Sequence, residues 1–450
     1  MAGVWVRVSR GIALGLVVGI CCAASAARPS KVRTSVAAKK NAKIVAVPAR
    51  GRKGAARAEK HEVAAPAKGR RGRHAERASA KAGAEGQGAE KVAVATRLVR
   101  RHGRLVRVVV AGSRAPRYMG ERFYASSFAD QQTVGDITAG EDPVVRAAAI
   151  EALGNMNGTA LAIDPATGRI LAMVNQKLAL SSGAEPCSTI KLSVALAALE
   201  EGLIKHDTLV SLGGGYKMDL TYALAKSVNP FFETLGRALG FERVKHYANQ
   251  FGLGELAGYN IAGEQLGVYP DQELPAALGG VGRMCSFGES VSMTPLQLGA
   301  LVSAIANGGT LYYLQHPTTT DEVANFQPKI KRTLDIGPLI PEMIPGMQGA
   351  VAAPWGTARR LQASFTEFPV MGKTGTCSNN GTRFGWFGSY ANTPNGRIVT
   401  VIFLEGGRPT FGPKAAELTG VFYRALYDKN YFQPKVQAVS ASSAAVSSEQ

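Results

Sequence analysis

The chain has 450 residues, with 52 Lys and Arg against 33 Asp and Glu, and a formal net charge of +19 at pH 7. Residues 28–117 hold 25 Lys and Arg against five Glu, about +20, so the remainder is near neutral. That Ala, Lys, Arg and Gly-rich stretch has no aromatic residue before Tyr118 and cannot bury a core of its own. The six His show no ligand-like spacing, so neither a metal nor a cofactor is predicted.

In chain order, Met1 to Arg10 carries Arg7 and Arg10, Gly11 to Ala27 is uncharged and apolar, and Ala24-Ser25-Ala26 offers a small-x-small cleavage pattern. An apolar run of 17 residues is marginal for a bilayer span. Residues 1–27 therefore read as a signal peptide or an N-terminal membrane anchor, and both readings put the remainder outside the cytoplasm. A lipidated Cys21 or Cys22 is disfavoured by the Ile20 and Cys21 that would precede it. Residues 28–117 read as a basic disordered linker suited to anionic phospholipid or cell-wall polymer, with a solvated spacer as the plain alternative. Nucleic acid would suit such a tract in a cytosolic protein, but export argues against it. Val92 to Val110 sets Arg97, Arg100, Arg101, Arg104 and Arg107 among Leu and Val, the pattern of either a strand or an interfacial segment.

Ser188-Thr189-Ile190-Lys191 opens an apolar run to Gly202 that has good helix formers, a Pro186 upstream and a Gly as its stop. Ser188 then lies in the first turn, with Lys191 three residues on and on the same face. A serine hydroxyl becomes a nucleophile if a nearby amine of depressed pKa takes its proton, and a helix N-terminus favours the developing charge. The bland alternative is a capping Ser and a surface Lys. Further on, Tyr222 to Lys226 reads as helix, and Pro230 disfavours an α conformation at Asn229. Ser227 and Asn229 are thus expected at a turn between two helices, where a hydroxyl and an amide would relay a proton and grip a substrate amide, or simply cap a helix. Phe368 to Gly372 leads into Lys373-Thr374-Gly375-Thr376, followed by β-branched and aromatic runs at 383–390 and 398–404, an antiparallel meander in outline. Gly375 would admit another backbone close to the strand, and Lys373 with Thr376 would offer a charge and a hydroxyl to a carboxylate.

Singly these strings are common; their order and context are not. Together they resemble the penicillin-binding transpeptidase domain of the serine acyltransferases that cross-link bacterial peptidoglycan. The run Ala162 to Val174 resembles that domain's first β-hairpin, and Ser292-Met293-Thr294-Pro295 through Ala306-Asn307-Gly308-Gly309 resembles its helix before the third motif. The likeness covers roughly residues 141 to 430.

The resemblance implies an α+β fold, a five-stranded antiparallel sheet flanked by helices with a second, all-helical lobe. Glu141–Met156 would be the leading helix, 158–175 two strands, 188–310 the helical lobe, 366–405 three strands and Pro413–Asp428 the last helix. The domain would occupy 118–434, with a frayed tail at 435–450 and no room for a glycosyltransferase domain ahead of it. By the same likeness Ser188 attacks a D-Ala-D-Ala stem peptide, Lys191 is the general base, and Ser227 passes a proton to the leaving D-Ala. Asn229 holds the substrate amide, Lys373 orients the carboxylate, Thr374, Gly375 and Thr376 line the pocket, and the N–H groups of Ser188 and Thr376 form the oxyanion hole. Implied partners are peptidoglycan stem peptides, β-lactams and a separate glycosyltransferase. The implied function is a D,D-transpeptidase; the alternatives are a D,D-carboxypeptidase, a non-catalytic β-lactam-sensing or cell-wall-binding module, and a β-lactamase, whose deacylating signatures are missing. Two departures stand out: Cys187 where Gly is common before the nucleophile, and a short stretch between the first two motifs. In the family's geometry Cys187 and Cys377 lie near each other, so an oxidising envelope would let them pair; two separate buried thiols are the alternative. Cys285 has no evident partner.

Overall fold

The computed structural model describes residues 122–433 and the backbone of two strands, β1 (Thr96–Arg101) and β2 (Arg104–Val109). The expected signal or anchor at 1–27, most of the linker and the tail at 435–450 lie outside the described residues. Within the segment expected to be disordered, β1 and β2 pair antiparallel, which favours the strand reading over residues 96–101 and 104–109. The Leu and Val content of both halves suits a pleated ribbon.

Helix α1 (Pro143–Leu153) is shorter than the expected Glu141–Met156. Asp142 caps it by accepting from the N–H groups of Val144 and Val145, Pro143 opens it, and Gly154 ends it at φ 56°. Glu141 is left outside because its buried carboxylate accepts from Met173 N, Arg146 and His316. Strands β3 (Gly158–Asp164) and β4 (Arg169–Val174) form the expected hairpin. After a short α2 (Gln176–Ala179), a 3-10 turn at Cys187–Ile190 runs straight into α3 (Lys191–Glu200).

Helix α3 is buried along nearly its whole length, and α5 (Asn229–Leu239), α6 (Phe241–Gln250) and α7 (Gly280–Phe287) pack around it. This lobe also carries a small hairpin, β5 (Val210–Gly213) with β6 (Tyr216–Met218), and α4 (Leu220–Lys226). Helix α8 (Pro295–Asn307) starts with a capping box between Thr294 and Gln297 and stops at Gly308. It lies flat on the sheet: a Cβ on Gly299 would stand 2.6 Å from Ile163 Cδ1, so any larger residue there requires the Ile163 side chain to shift. Beyond it come β7 (Thr310–Tyr312), α9 (Thr320–Ala324), β8 (Ile330–Thr333) and α10 (Ile340–Ala352).

Strands β9 (Val370–Asn379), β10 (Thr382–Thr393) and β11 (Gly396–Gly406) complete the sheet, and α11 (Gly412–Asp428) closes the fold. The five strands run β4-β3-β11-β10-β9, every neighbour antiparallel, with β9 at the edge. The period of two sorts their residues between two cores. Leu161, Ile163, Trp386, Tyr390, Val399, Val401 and Phe403 face α8 and the helical lobe. Ala160, Ala162, Phe387, Ala391, Ile398, Ile402 and Leu404 face α1 and α11. Among the described residues no helix is long and apolar enough to cross a membrane.

Candidate active site

The first string sits on the turn that feeds α3. Thr189 closes the turn by donating both its N–H and its hydroxyl to Pro186 O, at 3.1 and 2.6 Å. Ser188 is half-buried, while Lys191, one turn on, is fully buried. The second string joins α4 to α5. Ser227 adopts the left-handed conformation, φ 61° and ψ 46°, as the C-cap of α4, and α5 begins at Asn229 itself with Pro230 next. The helix thus starts one residue earlier than the Pro230 argument implies, because Pro is tolerated in a first turn whose N–H groups have no helical partner.

The third string is on edge strand β9, where the alternation that buries Met371 on the α8 side puts Lys373, Gly375 and Cys377 on that same side. Thr374 and Thr376 fall on the other. The Thr374 hydroxyl donates to Thr357 Oγ1 at 2.8 Å, and Thr376 Oγ1 accepts from Gly412 N at 2.8 Å. Both hydroxyls expected to line the pocket are thus engaged by the fold, Thr374 in a buried position and Thr376 in a half-buried one.

The three strings meet at one hydroxyl. Lys191 Nζ is 3.0 Å and Lys373 Nζ 2.8 Å from Ser227 Oγ. Lys191 also donates to Ser227 O at 2.9 Å and Asn229 Oδ1 at 2.6 Å, and Lys373 donates to Thr374 O at 2.9 Å. The Phe232 ring lies 5.2 Å from Lys191 Nζ. Burial lowers the Lys191 pKa to about 7, opposed by the charge of Glu233. Burial, and then the charge of Lys191, hold Lys373 well below its ordinary value. Two ammonium groups sharing one buried hydroxyl repel, so the pair favours a single proton over two. A hydroxyl suits such a pair, since it accepts from one amine while donating to the other.

The turn bearing Ser188 and β9 touch backbone to backbone. A Cβ on Gly375 would lie 2.8 Å from Pro186 O and 3.2 Å from Thr189 Cγ2. Trp386 Nε1 donates to Glu185 O at 3.0 Å, tying the same turn to β10. Cys187 and Cys377 form a disulfide with Cα atoms 5.4 Å apart, so the pairing is formed and the separate-thiol alternative is excluded. Cys285 is buried and free.

Sequence reasoning missed Thr357. Its hydroxyl receives the hydrogen bond from Thr374 and reaches Ala225 O at 3.4 Å, linking the third string to the helix that ends at Ser227. Its Gly356-Thr357-Ala358 setting follows α10 and carries no chemical signature; only the packing of α10 against α4 brings it there.

With this geometry in view, the profile of the penicillin binding protein transpeptidase domain matches residues 158–426, from the first residue of β3 into α11. The chain belongs to that family. Its relatives include the stage V sporulation protein D of Bacillus subtilis, 32% identical over 261 residues covering 48% of this chain and 39% of that protein. Peptidoglycan D,D-transpeptidase FtsI of Escherichia coli is 23% identical over 292 residues, covering 58% of this chain and 46% of the relative. The chain therefore spans less than half the length of these two relatives. Among solved structures, the transpeptidase domain of Burkholderia pseudomallei penicillin-binding protein 3 superposes with a TM-score of 0.56 at 21% identity, over 65% of this chain and 96% of that one. That likeness establishes the shared fold, a penicillin-binding transpeptidase fold.

Proposed function

We propose that the chain is a peptidoglycan D,D-transpeptidase acting through a serine acyl-enzyme at Ser188. The observation that carries this reading is the pair of buried amines, Lys191 and Lys373, that share the Ser227 hydroxyl beside the turn bearing Ser188. A lysine whose pKa has fallen to about 7 is in part neutral at physiological pH and accepts a proton from a serine hydroxyl as that hydroxyl attacks. Ser188 Oγ attacks the carbonyl of the penultimate D-Ala while Lys191 takes its proton. The Ser227 hydroxyl then donates its proton to the departing D-Ala nitrogen and is resupplied by the amines on either side. Lys373 keeps the site positive for the terminal carboxylate. Because Asn229 Oδ1 is occupied by Lys191, its amide N–H group is the part left to hold a substrate carbonyl. The N–H groups of Ser188 and Thr376, on adjoining turn and edge strand, would stabilise the tetrahedral oxyanion. An amine of a second stem peptide, or water in the carboxypeptidase variant, resolves the ester.

A penicillin presents the same acyl chemistry without a departing leaving group, so it should leave a lasting ester on Ser188. Site and family together support activity on the outer face of the cytoplasmic membrane, with residues 1–27 serving export or anchoring and the basic segment reaching anionic envelope polymer or lipid headgroups. The test is intact mass after incubation with a penicillin, beside Ser188→Ala. A persistent adduct present only with Ser188 supports the reading. An adduct that disappears within seconds as drug is consumed would assign a β-lactamase instead, and no adduct would assign a non-catalytic module.

A further inference from the structure

We propose that the Cys187–Cys377 disulfide is a positioning device for acylation: it holds the peptide that carries the Ser188 N–H, and edge strand β9, in the relation the oxyanion requires. The inference rests on the acyl-enzyme reading above. Cys187 is fully buried and has φ 52°, a left-handed backbone that a residue with a Cβ seldom adopts. Its backbone angles set the direction of the next peptide plane, and the N–H of that plane belongs to Ser188. Relaxation of Cys187 out of the left-handed region would therefore rotate an oxyanion donor while leaving the nucleophile's own side chain unchanged.

The bond joins residues 190 apart in sequence, one on the turn feeding α3 and the other on the sheet edge. Each half-cystine is the immediate chain neighbour of a proposed oxyanion residue, Cys187 of Ser188 and Cys377 of Thr376. Nearby contacts close the assembly from both sides. Gly375 lets β9 meet Pro186 O, and from behind a Cβ on Gly288 would stand 2.3 Å from Pro186 Cγ. No side-chain hydrogen bond is needed for Cys187 to hold its backbone if the covalent bond to β9 does so. Glycine at this position would reach the same φ without any tether.

The test compares the native protein with the Cys187→Ser/Cys377→Ser and Cys187→Gly/Cys377→Ser variants. A chromogenic or fluorescent penicillin reports the dissociation constant of the initial complex and the first-order acylation rate separately, and melting temperature is recorded beside them. We expect the Ser/Ser variant to lose about tenfold or more in the acylation rate with little change in the initial dissociation constant, as for a misaimed oxyanion donor. The Gly/Ser variant should recover most of that loss although it melts as early as the Ser/Ser variant. Wild-type acylation by a folded Ser/Ser variant would overturn the proposal, as would a Gly/Ser variant no faster than Ser/Ser. If the Ser/Ser variant does not fold, the folded native protein is reduced in place by a water-soluble phosphine, which takes the oxygen of one water and leaves two thiols. The rate should then fall and return on reoxidation by oxidised glutathione, whereas an unchanged rate in the reduced protein rejects the role. Absence of any adduct on the native protein would instead defeat the acyl-enzyme reading, a result that these variants leave distinguishable.

Discussion

The two faces of the five-stranded sheet are built from the same strands and are apolar over most of their area, but they part company at the β9 edge. On the α1 and α11 side, Ala160, Ala162, Phe387, Ile402 and Leu404 meet Phe422, Ala415 and Leu426 in an apolar layer. On the other side, towards the β9 edge, the fold buries two lysine amines and keeps Cys187 and Ser227 in left-handed backbones. Each of those features opposes folding, since burial disfavours an ammonium and a Cβ disfavours positive φ. Both faces bury apolar side chains, and only the β9 end of the α8 side sets part of that stability against buried amines and positive φ, the pattern expected where a site is over-determined by its surroundings. The step between the two is one residue of strand: Met371 and Lys373 look one way, Val370 and Thr374 the other.

The contrast can be broken most sharply at Lys191. Lys191→Ala should slow penicillin acylation by about a thousandfold while the protein stays folded, measured by adduct formation and circular dichroism. Unchanged acylation would remove the base from the reading. On the opposite face, Phe422→Ala should cost about 3–5 kcal/mol of stability in denaturant titration yet leave the acylation rate of the folded protein intact. A loss of rate there would show that the faces are coupled. Gly375→Val should impair acylation by about a hundredfold, because its Cβ would stand 2.8 Å from Pro186 O and push the strand off the turn that bears Ser188.

The pH profile sharpens the same comparison. In the proposed mechanism the reactive form of Lys191 is the neutral amine, and its pKa is lowered to about 7, so acylation should rise with pH and fall about tenfold from pH 8 to pH 6. A flat rate across that range would mean that no group of this pKa serves as the base. The smallest effect is expected at Thr357→Val, which takes the acceptor from the Thr374 hydroxyl at a site tied to both α4 and β9. A loss of a few-fold in acylation rate is the expected outcome, the scale of one neutral hydrogen bond.

Particular residues show how far the sequence could be read. The meander expected over 366–405 was legible because β-branched and aromatic runs alternate between Gly and Asn breaks, and three strands formed there, each of the last two longer than the runs at 383–390 and 398–404. Helix α3 was legible from its apolar run and its Gly202 stop. The ends were less so: α1 begins at Pro143 behind the Asp142 cap, and Glu141, expected inside the helix, is held by Arg146 and by Met173 and His316, the last two distant in sequence. Thr357 was illegible for the same reason, since its contacts lie 17 and 132 residues away.

By itself, the sequence placed Ser188, Lys191, Ser227, Asn229 and Lys373 in three ordered strings and indicated what kind of fold would hold them. Ordered motifs and periods of 2 and 3.6 are local properties, and they survive in a linear reading. Only the tertiary structure decided that Lys191 and Lys373 share one hydroxyl, that their burial lowers both pKa values, and that the hydroxyls of Thr374 and Thr376 are engaged by Thr357 and Gly412. It also decided that Cys187 bonds Cys377. These are consequences of distance and desolvation between segments up to 190 residues apart, and neither quantity is written in the order of the residues.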